Sequence, residues 1–214
     1  MQIKTFQLNP LEVNTYVLFD ETKECVVIDA ACYYPNETEL LINYIVDNGF
    51  TVKHLINTHL HFDHIFGINA LVEKFDVKAA FHQEDEFLLE GIPQKLAMFG
   101  FPNNGVDYTP EVGHYLNDGD IITFGNQQLK ALYVPGHSPG SLCYYSEVAN
   151  CVFTGDVLFQ ASIGRTDLPG GDYDKLAHGI RTKLFTLPPE TAVYPGHGPK
   201  TTIGFEKQHN PFLI

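Results

Sequence analysis

The chain reads as an α/β protein with two β-sheets flanked by helices, and three observations lead there. In the N-terminal half, short apolar runs of strand length alternate with stretches of helical spacing, the rhythm of strand-helix-strand units. From Asp118 onward strands dominate, set apart by Gly, Pro and Asn. No internal repeat or linker breaks this order, which suits two sheets better than one doubly wound sheet.

Residues 2–7, 14–19 and 24–29 form the first short apolar strands. Leu40, Leu41, Tyr44 and Ile45 then predict a helix from Asn36 to Asn48, with Asn36 and Glu39 as a capping box and Gly49 as its left-handed stop. A strand at 52–57 leads into a histidine-rich segment, a helix is expected from His64 to Phe75, and a strand follows at Lys78–Phe81. Residues 83–100 have helical character broken by Gly91 and Pro93, and Pro102-Asn103-Asn104-Gly105 is loop chemistry, so an insertion on the substrate side is expected there. Strands at 121–124, 128–134, 142–146 and 151–154, a helix over 174–185 and a last strand at 192–194 complete the expected set. Gly170-Gly171-Asp172 reads as the cap of that helix, with Asp172 or Asp174 at its N-terminus.

With 214 residues and 44% hydrophobic content, the chain can bury a core without disulfides, and residues 1–214 read as one domain. Cys25, Cys32, Cys143 and Cys151 lie among apolar neighbours without a Cys-x-x-Cys pair, the pattern of reduced, buried thiols. The N-terminus lacks a signal-peptide core and no apolar run reaches membrane-spanning length, so a soluble cytoplasmic protein is expected. A net charge of -13 argues against a polyanionic partner such as nucleic acid. Oligomeric state is not written in these features.

The densest chemistry is Thr58-His59-Leu60-His61-Phe62-Asp63-His64, directly after the strand at 52–57. On extended backbone His59 and His61 point the same way, while Asp63 and His64 turn aside as the chain leaves the strand, so one loop feeds two metal ions. So short a stretch needs ligands from elsewhere. Three later segments supply them in one pattern of strand, glycine turn and ligand: Val134-Pro135-Gly136-His137, Phe153-Thr154-Gly155-Asp156 and Val193-Tyr194-Pro195-Gly196-His197. Five His and two Asp result, a donor set for a pair of divalent ions, zinc first by its imidazole content, with iron or manganese as alternatives. His54, His82, His114, His178 and His209 fall outside these motifs and read as surface or hydrogen-bonded histidines. Ser138 and Ser141 lack the strand-Ser-helix elbow of a serine nucleophile.

T-H-x-H-x-D-H, P-G-H-S-P-G, T-G-D and P-G-H-G in this order resemble the metallo-β-lactamase superfamily along essentially the whole chain. Gly164-Arg165-Thr166-Asp167 is similar to the glyoxalase II branch, particularly its short members. That resemblance implies a four-layer αββα sandwich with the site at one edge of the two sheets. It also implies a first metal on His59, His61 and His137, a second on Asp63, His64 and His197, Asp156 bridging them, and Arg165 contacting substrate. Asp63 and Asp156 would be the catalytic carboxylates, the first also orienting the nucleophile. Longer glyoxalase II proteins continue into a helical domain that grips glutathione, whereas only 17 residues follow His197 here, so that domain is not expected.

The expected activity is hydrolysis of a small thioester or related ester by a metal-bridging hydroxide. Two other classes stand beside it. Persulfide dioxygenases of the same superfamily use one iron on a facial set, here His59, His137 and Asp156. A non-catalytic metal-binding module has no use for all seven ligands. Residues 84–105 and 160–171 are the expected walls of the pocket, and Phe62 and Phe66 are expected in the core, with Met98 and Phe99 open to either role.

Overall fold

The side chains of β3 (Glu24–Ile28) show the organising device of the fold. Cys25 and Val27 pack into one core, and Val26 and Ile28 pack into another on the opposite face, so a single apolar run serves two layers at once. A computed structural model describes residues 1–102 and 105–213. The loop expected at 102–105 thus falls partly on Asn103 and Asn104, which lie outside the described residues.

The first sheet runs in the order β1 (Gln2–Leu8), β2 (Val13–Phe19), β3, β4 (Thr51–Ile56), β5 (Ala79–Phe81) and β6 (Val112–Tyr115). The first three strands are antiparallel and the pairings from β3 to β6 are parallel. The second sheet contains β7 (Ile121–Phe124), β8 (Gln127–Tyr133), β9 (Leu142–Ser146), β10 (Cys151–Gly155), β13 (Ala192–Pro195) and β14 (Thr201–Thr202), in the order β14-β13-β10-β9-β8-β7. A small hairpin, β11 (Leu158–Phe159) with β12 (Ser162–Ile163), stands apart.

Three cores separate four layers. α1 (Pro35–Asp47) buries Leu41 and Ile45, and α2 (Ile68–Phe75) buries Ile68 and Leu71, against the outer face of the first sheet. Between the sheets lie Leu18, Val26, Ile28, Ile122, Phe124, Tyr144 and Phe153. On the far side, α4 (Tyr173–Gly179) and the wider π-helical turn Ile180–Leu184 pack Leu176, Ile180 and Leu184 onto Cys143, Val152 and Val193. This is the α/β/β/α order. All four cysteines are buried and free, and burial pushes the Cys25 and Cys32 thiols up to about 12. No helix among the described residues is long and apolar enough to cross a membrane.

Several boundaries differ from expectation. The first helix starts at Pro35, whose fixed φ and missing N–H suit the first turn. Its cap is therefore Tyr34, and Glu37, not Glu39, reaches back: Oε2 accepts the Tyr33 and Tyr34 N–H groups and Oε1 accepts that of Asn9. Gly49 takes φ +67 as the C-terminal stop. The helix expected from His64 begins only at Ile68, because residues Phe62–His64 form a single 3-10 turn that keeps Asp63 and His64 facing the site. In the broken stretch, a 3-10 segment over Gln83–Leu89 ends near Gly91, at φ +66, and α3 follows at Ile92–Met98. Five pieces are missing from the sequence reading. β6 is a half-exposed edge interrupted by Gly113, β11, β12 and β14 have two residues each, and α5 (Ile203–His209) buries only Ile203 and Glu206, too few for a helical stripe.

Glu37 closes three backbone donors with one carboxylate, so Glu37→Ala is expected to lower the unfolding free energy by about 1–2 kcal/mol. Glu39→Ala is expected to change it by less than about 0.5 kcal/mol. Urea denaturation of the two variants separates the alternatives, and equal losses would restore the cap at Asn36.

Candidate metal centre

The rim where the two sheets meet collects every strand end that carries a candidate ligand. β4 runs out at Ile56 into His59, and Thr58 ties the sheets together by accepting the Leu142 N–H at 2.8 Å. β10 delivers Asp156, and parallel to it β13 delivers His197 through Gly196. His137 follows β8. The β1–β2 hairpin reaches the same rim, where Asn14 donates to the Pro195 and Gly198 carbonyls and Tyr16 Oη to that of Pro195. Gly196 is there for space: a Cβ at that position would collide with Asp156 Oδ1 and press on His64.

All seven expected ligands come together. His137 Nε2 lies 2.9 Å from His61 Nδ1 and 3.3 Å from His59 Nε2, three imidazole nitrogens aimed at one point. Asp63 Oδ2 lies 3.8 Å from His64 Nε2 and 3.5 Å from His197 Nε2. The Asp156 carboxylate stands between these groups, with Oδ1 at 3.4 Å from His64 Nε2 and Oδ2 at 3.7 Å from His137 Nε2 and 3.5 Å from His197 Nε2. Donor atoms of His59, His61 and His137, of His59, His64 and Asp156, and of Asp63, His64 and His197 each lie within 4.8 Å of one another.

Protonation suits the first group to cation binding. Burial strips hydration from the imidazolium forms, so His59 falls well below its ordinary value, His61 drops to about 3 and His137 is lowered as well. All three are neutral near pH 7 and present lone pairs. In the second group burial acts against charge too, but the surrounding carboxylates of Asp156, Asp29 and Asp63 overcome it and raise His64. Burial likewise pushes Asp156 and Asp63 upward and loses to the adjacent imidazoles, so both carboxyls are held low. Buried acids that draw positive charge this strongly fit a bound cation. So do His64 Nε2 and Asp156 Oδ1, which are buried without a hydrogen-bond partner, a costly arrangement that a metal ion between them removes.

The remaining ring nitrogens are held from behind. His137 Nδ1 donates to the Arg165 carbonyl at 2.8 Å, His197 Nδ1 donates to that of Leu11 at 2.8 Å, and His64 Nδ1 faces Asp29 Oδ2 at 3.0 Å. Thr58 Oγ1 lies 3.1 Å from His59 Nδ1. Two of the supporting carboxylates escaped the sequence reading. Asp29 ends an apolar strand in Val26-Val27-Ile28-Asp29, a position that could have flagged it. Asp85 had no signal, because Glu84-Asp85-Glu86 reads as a solvated turn. It is fully buried, and it accepts the Leu60 N–H between two ligands together with Ser138 Oγ and the Gly140 N–H just past a third.

A cleft of about 480 Å³ opens onto His61, Asp63, His137 and Asp156, with Phe62, Leu88 and Phe99 among its apolar walls. A second hollow of about 470 Å³ reaches the cluster from the side of Phe159, Gln160 and Ser162. Both stretches expected to wall the pocket arrive there. Phe62 and Phe66 are buried, whereas Met98 and Phe99 are exposed on the cleft and not in the core. Arg165 also lines the cleft, but its exposed guanidinium is clamped by Asp167 through two hydrogen bonds of 2.7 Å. Away from the site, His54 and His209 bond backbone carbonyls, and His82 stacks on Tyr133.

Burial pushes the Asp85 carboxyl up to about 6 despite its three donors. A folded-state value above the ordinary one means that ionisation costs the native state, so this group's contribution to stability falls as pH rises from about 4 to about 6, by roughly 3 kcal/mol in all. The stability difference between wild type and Asp85→Asn is expected to shrink over that window in urea denaturation. A difference that stays flat would mean Asp85 is ionised throughout.

Comparison with known proteins agrees with this architecture. The sequence profile of the Metallo-beta-lactamase superfamily matches residues 8–197. Hydroxyacylglutathione hydrolase GloC of Haemophilus influenzae is 36% identical over 214 residues, covering 100% of this chain and 98% of that protein. Among solved structures, the BLEG-1 B3 metallo-beta-lactamase superposes with a TM-score of 0.87 at 37% identity, covering 100% of both chains. TTHA1623, solved in a di-iron-bound form, superposes with a TM-score of 0.84 at 36% identity, covering 98% of this chain and 100% of that one. With its strand ends, histidines and carboxylates arranged on this rim, the chain belongs to the metallo-beta-lactamase superfamily.

Proposed function

We propose that this protein is a dinuclear metal-dependent hydrolase that cleaves a small thioester, of the hydroxyacyl-thiol type turned over by its GloC relative. The observation that carries the reading is the Asp156 carboxylate between two groups of ligand atoms, on the floor of an open cleft. His59, His61 and His137 would hold one ion, Asp63, His64 and His197 the other, and Asp156 both. When bound, such a pair supplies an activated water and a Lewis acid for a carbonyl oxygen. Zinc is the proposed metal, on the strength of the five imidazoles.

The chain's own groups set the geometry of the step. Asp63, held ionised, would accept a hydrogen bond from the attacking water and aim its lone pair into the cleft, while Asp156, also held ionised, stands between the two groups of ligand atoms. His59, His61 and His137 are neutral because burial disfavours protonation, and the Thr58 hydroxyl behind His59 and the Arg165 carbonyl behind His137 turn the other ring nitrogen of each inward. Phe62, Leu88 and Phe99 offer the acyl group an apolar wall. No serine is required: Ser138 Oγ donates to Asp85, and Ser141 Oγ accepts from the Ser138 N–H. The single-domain reading of residues 1–214, a reducing cytoplasmic setting for the free thiols and a small-molecule partner belong to the same proposal.

Metal analysis of the purified protein, paired with a panel of acyl thioesters and glutathione persulfide, tests it. Two zinc ions per chain and thioester turnover are expected; a single iron with oxygen uptake on persulfide would sink the hydrolase reading. In the same analysis, Asp156→Asn is expected to lower occupancy of both metals by tenfold or more, and His197→Ala to empty chiefly one. Loss of one metal in both variants would contradict the bridging role of Asp156.

A further inference from the structure

We infer that Lys95 is the anchor for a carboxylate on the substrate's non-reacting arm, so that the preferred substrate is a monoanionic acyl compound with an apolar middle. This rests on the hydrolase reading above and deepens it. Two basic residues line the cleft that opens onto the ligand cluster, Lys95 and Arg165. The Arg165 guanidinium is already neutralised: Nε and Nη2 each donate to Asp167 at 2.7 Å, in the two-pronged geometry that uses the guanidinium fork most fully. Its backbone is committed as well, through the carbonyl that takes the His137 Nδ1 proton.

Lys95 is in the opposite condition. It sits in the last turn of α3, half-buried, and its ammonium donates to a single uncharged acceptor, the Leu88 carbonyl at 2.6 Å. No carboxylate among the described residues pairs with it; Glu90 is the acid whose field reaches it. An ammonium carries three donors, and among the described residues one is taken, so two remain to meet a ligand. Partial burial disfavours its charge and lowers its pKa from the ordinary lysine value, the mark of a cation short of a counter-ion. A chain with 26 acidic residues against 13 basic ones has carboxylates in surplus, and none of those described is set against this ammonium. A ligand carboxylate in the cleft supplies what is missing.

The rest of the wall limits what lies between that carboxylate and the scissile bond. Leu11, Phe62, Leu88, Phe99, Leu168 and Pro169 surround the space, which favours methylene or aryl groups there. Glutathione brings two carboxylates, an ammonium and two amides. A lone unpaired cation on an apolar wall suits it poorly and suits a short ω-carboxylate well.

The test uses the full-length, metal-loaded protein and two thioethers that contain no cleavable bond: S-butyl-3-mercaptopropionic acid and its primary amide. In calorimetric titration the acid is expected to bind wild type roughly three- to tenfold more tightly than the amide, the range of one partly buried ion pair. Lys95→Gln is expected to abolish that preference, and Arg165→Gln to keep it. A ratio near one in wild type, a ratio unchanged in Lys95→Gln, or failure of both probes to bind at millimolar concentration would overturn the assignment. Because neither probe is hydrolysed, the result stands whether or not thioesters are turned over. Conversely, equal turnover of acid and amide thioesters would remove Lys95 and leave the hydrolase intact.

Discussion

The Asp29 carboxylate is the pin on which the rest of the centre hangs. Oδ1 accepts the Thr58 N–H at 2.7 Å, and Oδ2 accepts Thr58 Oγ1 at 2.7 Å while facing His64 Nδ1 at 3.0 Å. These bonds bend the chain at the end of β4, orient the loop that begins at His59 and lock the His64 ring, all from inside a region with almost no water. A charge so placed would be costly if isolated, and its donors make it tolerable. Asp29 itself takes φ +53, a conformation few L-residues adopt unless neighbours over-determine it. Its N–H bonds the Ile56 carbonyl and its own carbonyl accepts Thr15 Oγ1, so three strands of the first sheet converge on one residue.

Around that pin the two sheets are joined by polar groups at the rim and by apolar packing deeper down. Tyr144 Oη reaches the Asn57 carbonyl at 2.6 Å and Tyr16 Oη the Pro195 carbonyl at 2.6 Å, each phenol spanning from one sheet to the other. Burial pushes both phenols up, so they stay protonated donors. The same two rings belong to the core between the sheets. The segments that carry the candidate ligands are thus tied by side chains that also build the core between the sheets.

Much of this was legible in the order of residues, and the remainder was hidden for identifiable reasons. Strands such as β3 and β10 announce themselves because both faces are buried and the apolar run is continuous. The ligands announce themselves because glycine, ligand type and strand end recur together at His137, Asp156 and His197. What stayed hidden depends on tertiary partners. The cap of α1 lies two positions before the expected one because Asn36 and Glu39 have the right spacing, while Pro35 and the reach of Glu37 to Asn9 decide the matter. Asp85 could not be told from its solvated neighbours, and the role expected of Arg165 gave no hint that Asp167, two residues on, would occupy its side chain.

The position of Asp85 also bears on how this scaffold can be altered. Residues Gln83–Leu89 carry the carboxylate that ties Leu60 to Ser138 and Gly140, and they also supply Leu88 to the cleft wall. The wall and the two ligand loops are therefore mechanically one unit up to Leu89. A loop graft meant to change substrate choice has a natural seam after that residue, at the left-handed Gly91, where α3 can be exchanged without cutting the Asp85 bonds, provided the replacement keeps a ring against Phe62 as Phe99 does. A graft begun earlier in the turn would carry the metal centre with it.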